Sequence, residues 1–284
     1  IAQPTDVDAL NLAAATELAR GHTDVAVKLM DRAVGLHPKN AVFLANLAEM
    51  RRRNGDAAGG LDAARRAVAI NPNNENAQAN LGIALYNAGD LDGAEAAQNA
   101  ALAIDPKQTR AVNNLGSIAR DRGDRKVAAD LYRRALRLSP SDDEIMSNLG
   151  TVLVEDDRAD EALHILLPYS KVRPKVPAEM HAVIGCAHLY LDALDDAELA
   201  LRTAISIDPK HITAHVRLSQ VLQQKHHADK ALTVAAAAVH INPKSAMAHH
   251  QAGLCLNDLG ETERTRDAYN LSLIHISEPT RLTM

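Results

Sequence analysis

The chain is nearly without aromatic residues: 284 positions hold no tryptophan, one phenylalanine and five tyrosines. Base stacking therefore has almost nothing to use. A net charge of −5 and a pI near 6.2 leave no basic footprint for nucleic acid. Long apolar runs are missing too. The longest, Ala231 to Val239, falls far short of the roughly 20 residues that span a bilayer. There is no Gly-rich phosphate loop, no nucleophile elbow and no carboxylate pair set for acid–base work, so the chain reads as a non-enzyme without a cofactor. Cysteine occurs twice, and Cys186 and Cys255 read as small core residues.

What is present is periodic. Pro38, Pro72, Pro106, Pro140 and Pro174 stand 34 residues apart, Pro209 follows after 35 and Pro243 after 34. A fixed period of this length marks a stacked-repeat architecture. Other residues keep the register. Ten after the proline come Gly82, Gly116, Gly150 and Gly253; seventeen after it come Gly55, Gly89, Gly123 and Gly260. Asn76 to Ala88 and Asp92 to Ile104 have apolar residues at helical spacing, joined by Gly89-Asp90. Glycine takes the left-handed conformation that closes one helix, and aspartate caps the next. Gly55-Asp56 and Gly123-Asp124 repeat the device, and each proline blocks continuation into the following unit. The spacing predicts helix pairs, with small residues such as Gly82, Ala94 and Ala101 where two helices approach closely.

Leu81-Gly82, Leu115-Gly116 and Leu149-Gly150, the second-helix alanines Ala94, Ala128 and Ala162, and the closing Leu/Ile-x-Pro resemble the tetratricopeptide repeat (TPR). The resemblance covers about 265 of the 284 residues. It departs where an aromatic usually opens the first helix: here stand Leu44, Gln78, Val112, Met146, His181, His215 and His249. It implies an all-α, right-handed α-solenoid of stacked helix-turn-helix units. Seven units run from Val7–Asn40 to Ile212–Ser245, and an eighth opens at Ala246 and is expected to lose its second helix after Asn270. Two repeats separate the cysteines, so a disulfide between them is not expected.

Eight residues after four successive prolines stand Asn46, Asn80, Asn114 and Asn148. In the resembled family this face of the first helix lines a concave groove. The amides would then line up along it, each offering donors and an acceptor to a peptide main chain. The arrangement is similar to the groove of O-linked N-acetylglucosamine transferases. The competing reading is that the amides bond neighbouring helices. Around them, Glu49 and Arg53, Asn76 and Asn87, and Arg110, Asn113, Ser117 and Asp121 differ from unit to unit and would set side-chain preference. A complete carboxylate clamp for chaperone tails is not visible. The basic stretches Arg51 to Arg53 and Arg120 to Arg137 interleave with acids and read as solvated faces. His181, His215 and His249 read as packing residues. His211 and His215 have metal-ligand spacing, but no third ligand completes a set.

The asparagine row stops after Asn148, where Val183, Arg217 and Gln251 take its register. Pro168 falls inside an expected second helix, followed by Pro174, Pro177 and the one-residue insertion, so a bend or groove boundary is expected at 168–177. The organisation read from these signals is an N-terminal end at 1–6, repeats at 7–176 with the asparagines, and repeats at 177–270. Residues 271–284 form a foreign tail. Leu271 to Arg281 resemble the translated read-through of a transposon-based sequencing adapter, and the chain opens at Ile1 without an initiator methionine. The sequence thus reads as a bacterial piece from environmental DNA. The expected role is a scaffold that binds a protein or extended peptide, with the recruiting arm of a glycosyltransferase or sulfotransferase as the alternative. No nucleic-acid or membrane partner is expected. The compartment reads as cytoplasmic with the periplasm left open.

Overall fold

The computed structural model describes residues 6–173 and 175–277, with side chains to 272. Pro174, one of the periodic prolines, and residues 1–5 and 278–284 lie outside the described residues. Sixteen helices and no strand occur among the described residues. They pair as α1 (Val7–Ala19) with α2 (Thr23–Leu36), α3 (Ala41–Arg53) with α4 (Ala57–Ile70), and α5 (Glu75–Asn87) with α6 (Leu91–Ile104). Then come α7 (Thr109–Asp121) with α8 (Arg125–Leu138), α9 (Asp143–Glu155) with α10 (Ala159–Lys171), and α11 (Ala178–Tyr190) with α12 (Leu194–Ile207). The series closes with α13 (Ile212–Gln224) and α14 (Ala228–Ile241), then α15 (Ala246–Asp258) and α16 (Thr262–Ser277). The first compact unit ends at Ser139 and the second begins at Pro140.

The turn between paired helices works largely as its residues predict. Gly55, Gly89 and Gly123 have φ of 83°, 81° and 86°. Asp56 and Asp90 accept hydrogen bonds from the backbone N–H of Gly59 and Gly93, both at 2.9 Å. Asp124 makes no such bond. Where the repeat lacks its glycine, Asp157, Asp192 and His226 occupy the same left-handed place at φ 62°, 58° and 59°.

In five of the pairs a glycine of the first helix faces a large side chain sixteen residues on. An added Cβ on Gly116 would lie 2.6 Å from the Tyr132 ring, and on Gly150 2.7 Å from Leu166 Cδ1. Gly82 faces Gln98, Gly185 faces Leu201 and Gly253 faces Tyr269 in the same way. Where the first helix carries Ala48 or Ser219 instead, the second carries the small Ala64 or Ala235, whereas the first pair sets Ala14 against the fully buried Met30. The cores are otherwise built from alanine and mid-sized aliphatic residues, with Ala63, Ala94, Ala128, Ala162, Ala197 and Ala231 almost completely buried.

Two expectations are corrected. α10 runs unbroken through Pro168 to Lys171. Pro168 begins the last turn, where the helix forgoes only the bond from residue 168 to the His164 carbonyl, and α10 has 13 residues where its counterpart α8 has 14. At the C-terminus a helix is found where its loss after Asn270 was expected: α16 runs past Asn270 to Ser277, through the first residues of the expected foreign tail. Residues 271–277 contain neither Gly nor Pro, and Pro279 is the first stop signal. The rest of the expected foreign tail, 278–284, lies outside the described residues.

Candidate functional site

Within the first unit, α3, α5 and α7 lie side by side and carry most of the predicted site residues. Asn46 Nδ2 donates to Asn11 Oδ1 at 2.9 Å, and Asn80 Nδ2 to the Ala45 carbonyl at 2.8 Å. Both reach back 35 residues to the preceding first helix. Asn80 is buried, and its Oδ1 accepts from Arg110 Nη2 at 3.3 Å. Asn114 differs: its Nδ2 is buried with no hydrogen-bond partner. Two of the amides thus stitch neighbouring helices together, as the competing reading held, while each NH₂ retains a second donor.

Glu49 is the hub of this surface. Its carboxylate accepts from Arg52 Nε at 2.9 Å and Arg53 Nε at 2.6 Å, with Arg110 at 3.9 Å. Burial pushes the Glu49 carboxyl up, but the Arg52 and Arg53 hydrogen bonds and the nearby Arg110 charge prevail and hold it below its usual range. Three arginines on one carboxylate leave local positive charge, and Arg53 and Arg110 are exposed.

The remaining predicted residues are only partly brought together. Asp121 Oδ2 accepts from the Tyr86 hydroxyl at 2.5 Å. Burial, then this carboxylate, raises the Tyr86 pKa. Ser117 turns toward the second helix, 3.1 Å from Tyr132 OH. Asn76 donates to Glu75 Oε1 and accepts from Gln108 Nε2. Asn113 is buried and Asn87 half-buried. Asn148 is on α9 in the second unit, half-buried.

The second unit holds a hollow that the asparagine row did not reveal. About 330 Å³ in volume, it lies between α9, α11 and α13 and is lined by Arg217, Glu155, Asp157, Cys186 and Tyr190 among others. Arg217 Nη1 donates to Gln220 Oε1 at 3.1 Å, while its Nε is buried with no hydrogen-bond partner. Tyr190 OH donates to Asp157 Oδ1 at 2.6 Å. In the sequence its one mark is Arg217, which stands eight residues after Pro209 where earlier units carry asparagine.

The histidines do more than pack. His215 and His249 donate from Nε2 to the carbonyls of Pro209 and Pro243, at 3.0 and 2.8 Å, and Gln78 does the same to Pro72 at 3.0 Å. A polar side chain here ties the first helix to the boundary loop. His211 Nδ1 caps α13 by accepting from Ala214 N–H, and Nε2 meets Glu179 at 2.9 Å, so both nitrogens are engaged. Among the described residues no group of three His, Cys, Asp or Glu could hold a metal. No described helix is long and apolar enough to cross a membrane.

Family models described as tetratricopeptide repeat match residues 11–75, 51–116, 119–185 and 178–211. No curated protein matches the sequence. Among solved structures, the chain is similar to one in the crystal structure of the APC/C hetero-tetramer Cut9-Hcn1, with 18% identity and a TM-score of 0.76. That match covers 89% of this chain and 50% of the other, so this chain spans about half the length of that relative. Pseudomonas aeruginosa pilF is similar at 18% identity and a TM-score of 0.61, over 77% of this chain and 97% of that one. Helix pairs, period, turn chemistry and family models agree: the chain belongs to the tetratricopeptide-repeat family.

Proposed function

We propose that this chain is a non-catalytic scaffold that holds an extended segment of a partner protein along its first helices. Repeats of this family generally mediate protein interactions, and the fold offers a laterally continuous row of first helices within a unit rather than an enclosed reaction chamber. The observation that carries the reading is the single register of Asn46, Asn80 and Asn114 on α3, α5 and α7, with donors left over after the helix-to-helix bonds. Amide donors suit a peptide main chain whatever its side chains. The exposed Arg53 and Arg110 beside them favour a segment with acidic side chains.

Asn80 is the wrong residue to test first, because it is buried and its amide ties α5 to the α3 main chain, whereas Asn46 is half-buried and bonds only the Asn11 side chain. Asn46→Ala with Asn114→Ala is the better pair. A peptide selected from a random 12-residue display library should lose about tenfold in affinity for this variant, the worth of roughly one hydrogen bond. Calorimetric titration measures it. Unchanged affinity with an unchanged melting temperature would remove the asparagines from the binding surface.

A further inference from the structure

We propose that the hollow between α9, α11 and α13 selects a peptide carrying one acidic and one basic side chain, the acid against Arg217 and the base against Glu155 and Asp157. This rests on the peptide-holding role proposed above and adds the chemistry of the segment held by the second unit. Arg217 is the one cation among the described residues that line the hollow. It projects from α13 with Nη1 held by Gln220 and a buried Nε that nothing accepts from. The Arg217 side chain is half-buried and no ion pair of it occurs among the described residues, so a carboxylate docking there gains charge-assisted hydrogen bonds.

The opposite charge stands on the other side. Glu155 ends α9, and Asp157 follows in the turn, its carboxylate oriented by the Tyr190 hydroxyl. Tyr190 is 51% exposed, so its ring is accessible to a lysine or arginine. Between the two ends, α11 contributes Cys186 and Leu189 as an apolar floor. A ligand of one sign satisfies one end and is repelled at the other, whereas a segment with both charges satisfies both. Neighbouring helix axes about 9 Å apart put α9 and α13 about 18 Å apart. After allowance for side-chain reach, the acid and base belong about four residues apart on an extended chain at roughly 3.4 Å per residue.

Cys186 supplies a reporter inside the hollow. Burial pushes its thiol up to about 11, so its modification is slow enough to time. In the full chain with Cys255→Ser, the rate of reaction with methyl methanethiosulfonate is measured with four Gly/Ser peptides. These carry Glu and Lys four residues apart, Glu alone, Lys alone, or neither. The Glu/Lys peptide should slow modification by about tenfold more than the neutral one, as expected for about 1.4 kcal/mol of added binding. Arg217→Gln should abolish the gain from Glu and keep that from Lys; Glu155→Gln with Asp157→Asn should do the reverse. Titration calorimetry of the unsubstituted chain with the same peptides provides a second readout if Cys255→Ser impairs folding. Equal protection and equal affinity for all four peptides would overturn the proposal, as would a Glu effect that survives Arg217→Gln. If a neutral peptide binds and is lost with Asn46→Ala and Asn114→Ala while the charged peptides gain nothing at Cys186, this proposal fails and the scaffold role stands. If no peptide binds in any assay, both fail.

Discussion

At the scale of single residues, the turn between helices separates what the backbone demands from what the side chain adds. Asp157, Asp192 and His226 stand in a left-handed conformation that five glycines of the chain adopt freely. His226→Gly should therefore stabilise the fold by about 0.5–1 kcal/mol, the relief of strain outweighing the added freedom of the unfolded chain. Thermal unfolding checks this, and a lower melting temperature would show that the imidazole makes a compensating contact. Glu49 makes a pH-dependent contribution. Its folded-state pKa lies below the usual 4.5, so its stabilisation is present above about pH 4.5 and is lost as pH falls through the depressed value. The stability difference between the native chain and Glu49→Gln should shrink as pH falls below the usual 4.5, measured by denaturant titration at each pH. Neither effect was readable from spacing alone. The sequence marks Glu49 as a variable first-helix position, but its partners come from its own helix and, through Arg110, from α7 two first helices away.

Helices and their pairing were the most legible level. Proline every 34 residues, with glycine and aspartate between, fixes where each helix starts and stops, because these residues act through local backbone geometry. Two things escaped. The passage of α10 through Pro168 depends on where in the helix the proline falls, which an interruption count does not weigh. The asparagine partners depend on the approach of one first helix to the next, which brings the Ala45 carbonyl to Asn80. The small residues at close approaches were legible; their matching to a residue sixteen positions on was not. That matching makes a sharp prediction. Gly116→Ala should cost about 1–2 kcal/mol, the clash with Tyr132 exceeding the gain in helix propensity. With Tyr132→Ala already in place the same change should be neutral or stabilising. A double-mutant cycle by chemical denaturation measures the coupling, and additive effects would deny it.

At the scale of the whole molecule, stacked repeats draw stability from their neighbours, and the chain divides into compact units at Ser139 and Pro140. Unfolding should then depart from a single two-state transition, with Gly116→Ala shifting only the phase that belongs to the first unit. Hydrogen exchange resolved by helix distinguishes the two: uniform loss of protection throughout the chain would argue for one cooperative block. The candidate binding surfaces follow the same division, since the amide row of α3, α5 and α7 belongs to the first unit and the Arg217 hollow to the second. Sequence found the first because its residues repeat. It passed over the second because a pocket made by Arg217 on α13 and by Glu155 and Asp157 at the end of α9 and in the turn after it leaves no periodic trace.

The sixteen-residue match also decides where such a chain can be cut and rejoined. A segment exchanged from one proline to the next carries both halves of its own match, such as Gly116 with Tyr132, Ala48 with Ala64 or Ala14 with Met30. A segment exchanged at the Gly-Asp turn brings a first helix to a stranger: Ala48 set against Tyr132 would collide, and Gly116 set against Ala64 would leave a void. Exchange from proline to proline should therefore preserve the packing of these pairs better than exchange at the Gly-Asp turn, and the proline is the seam.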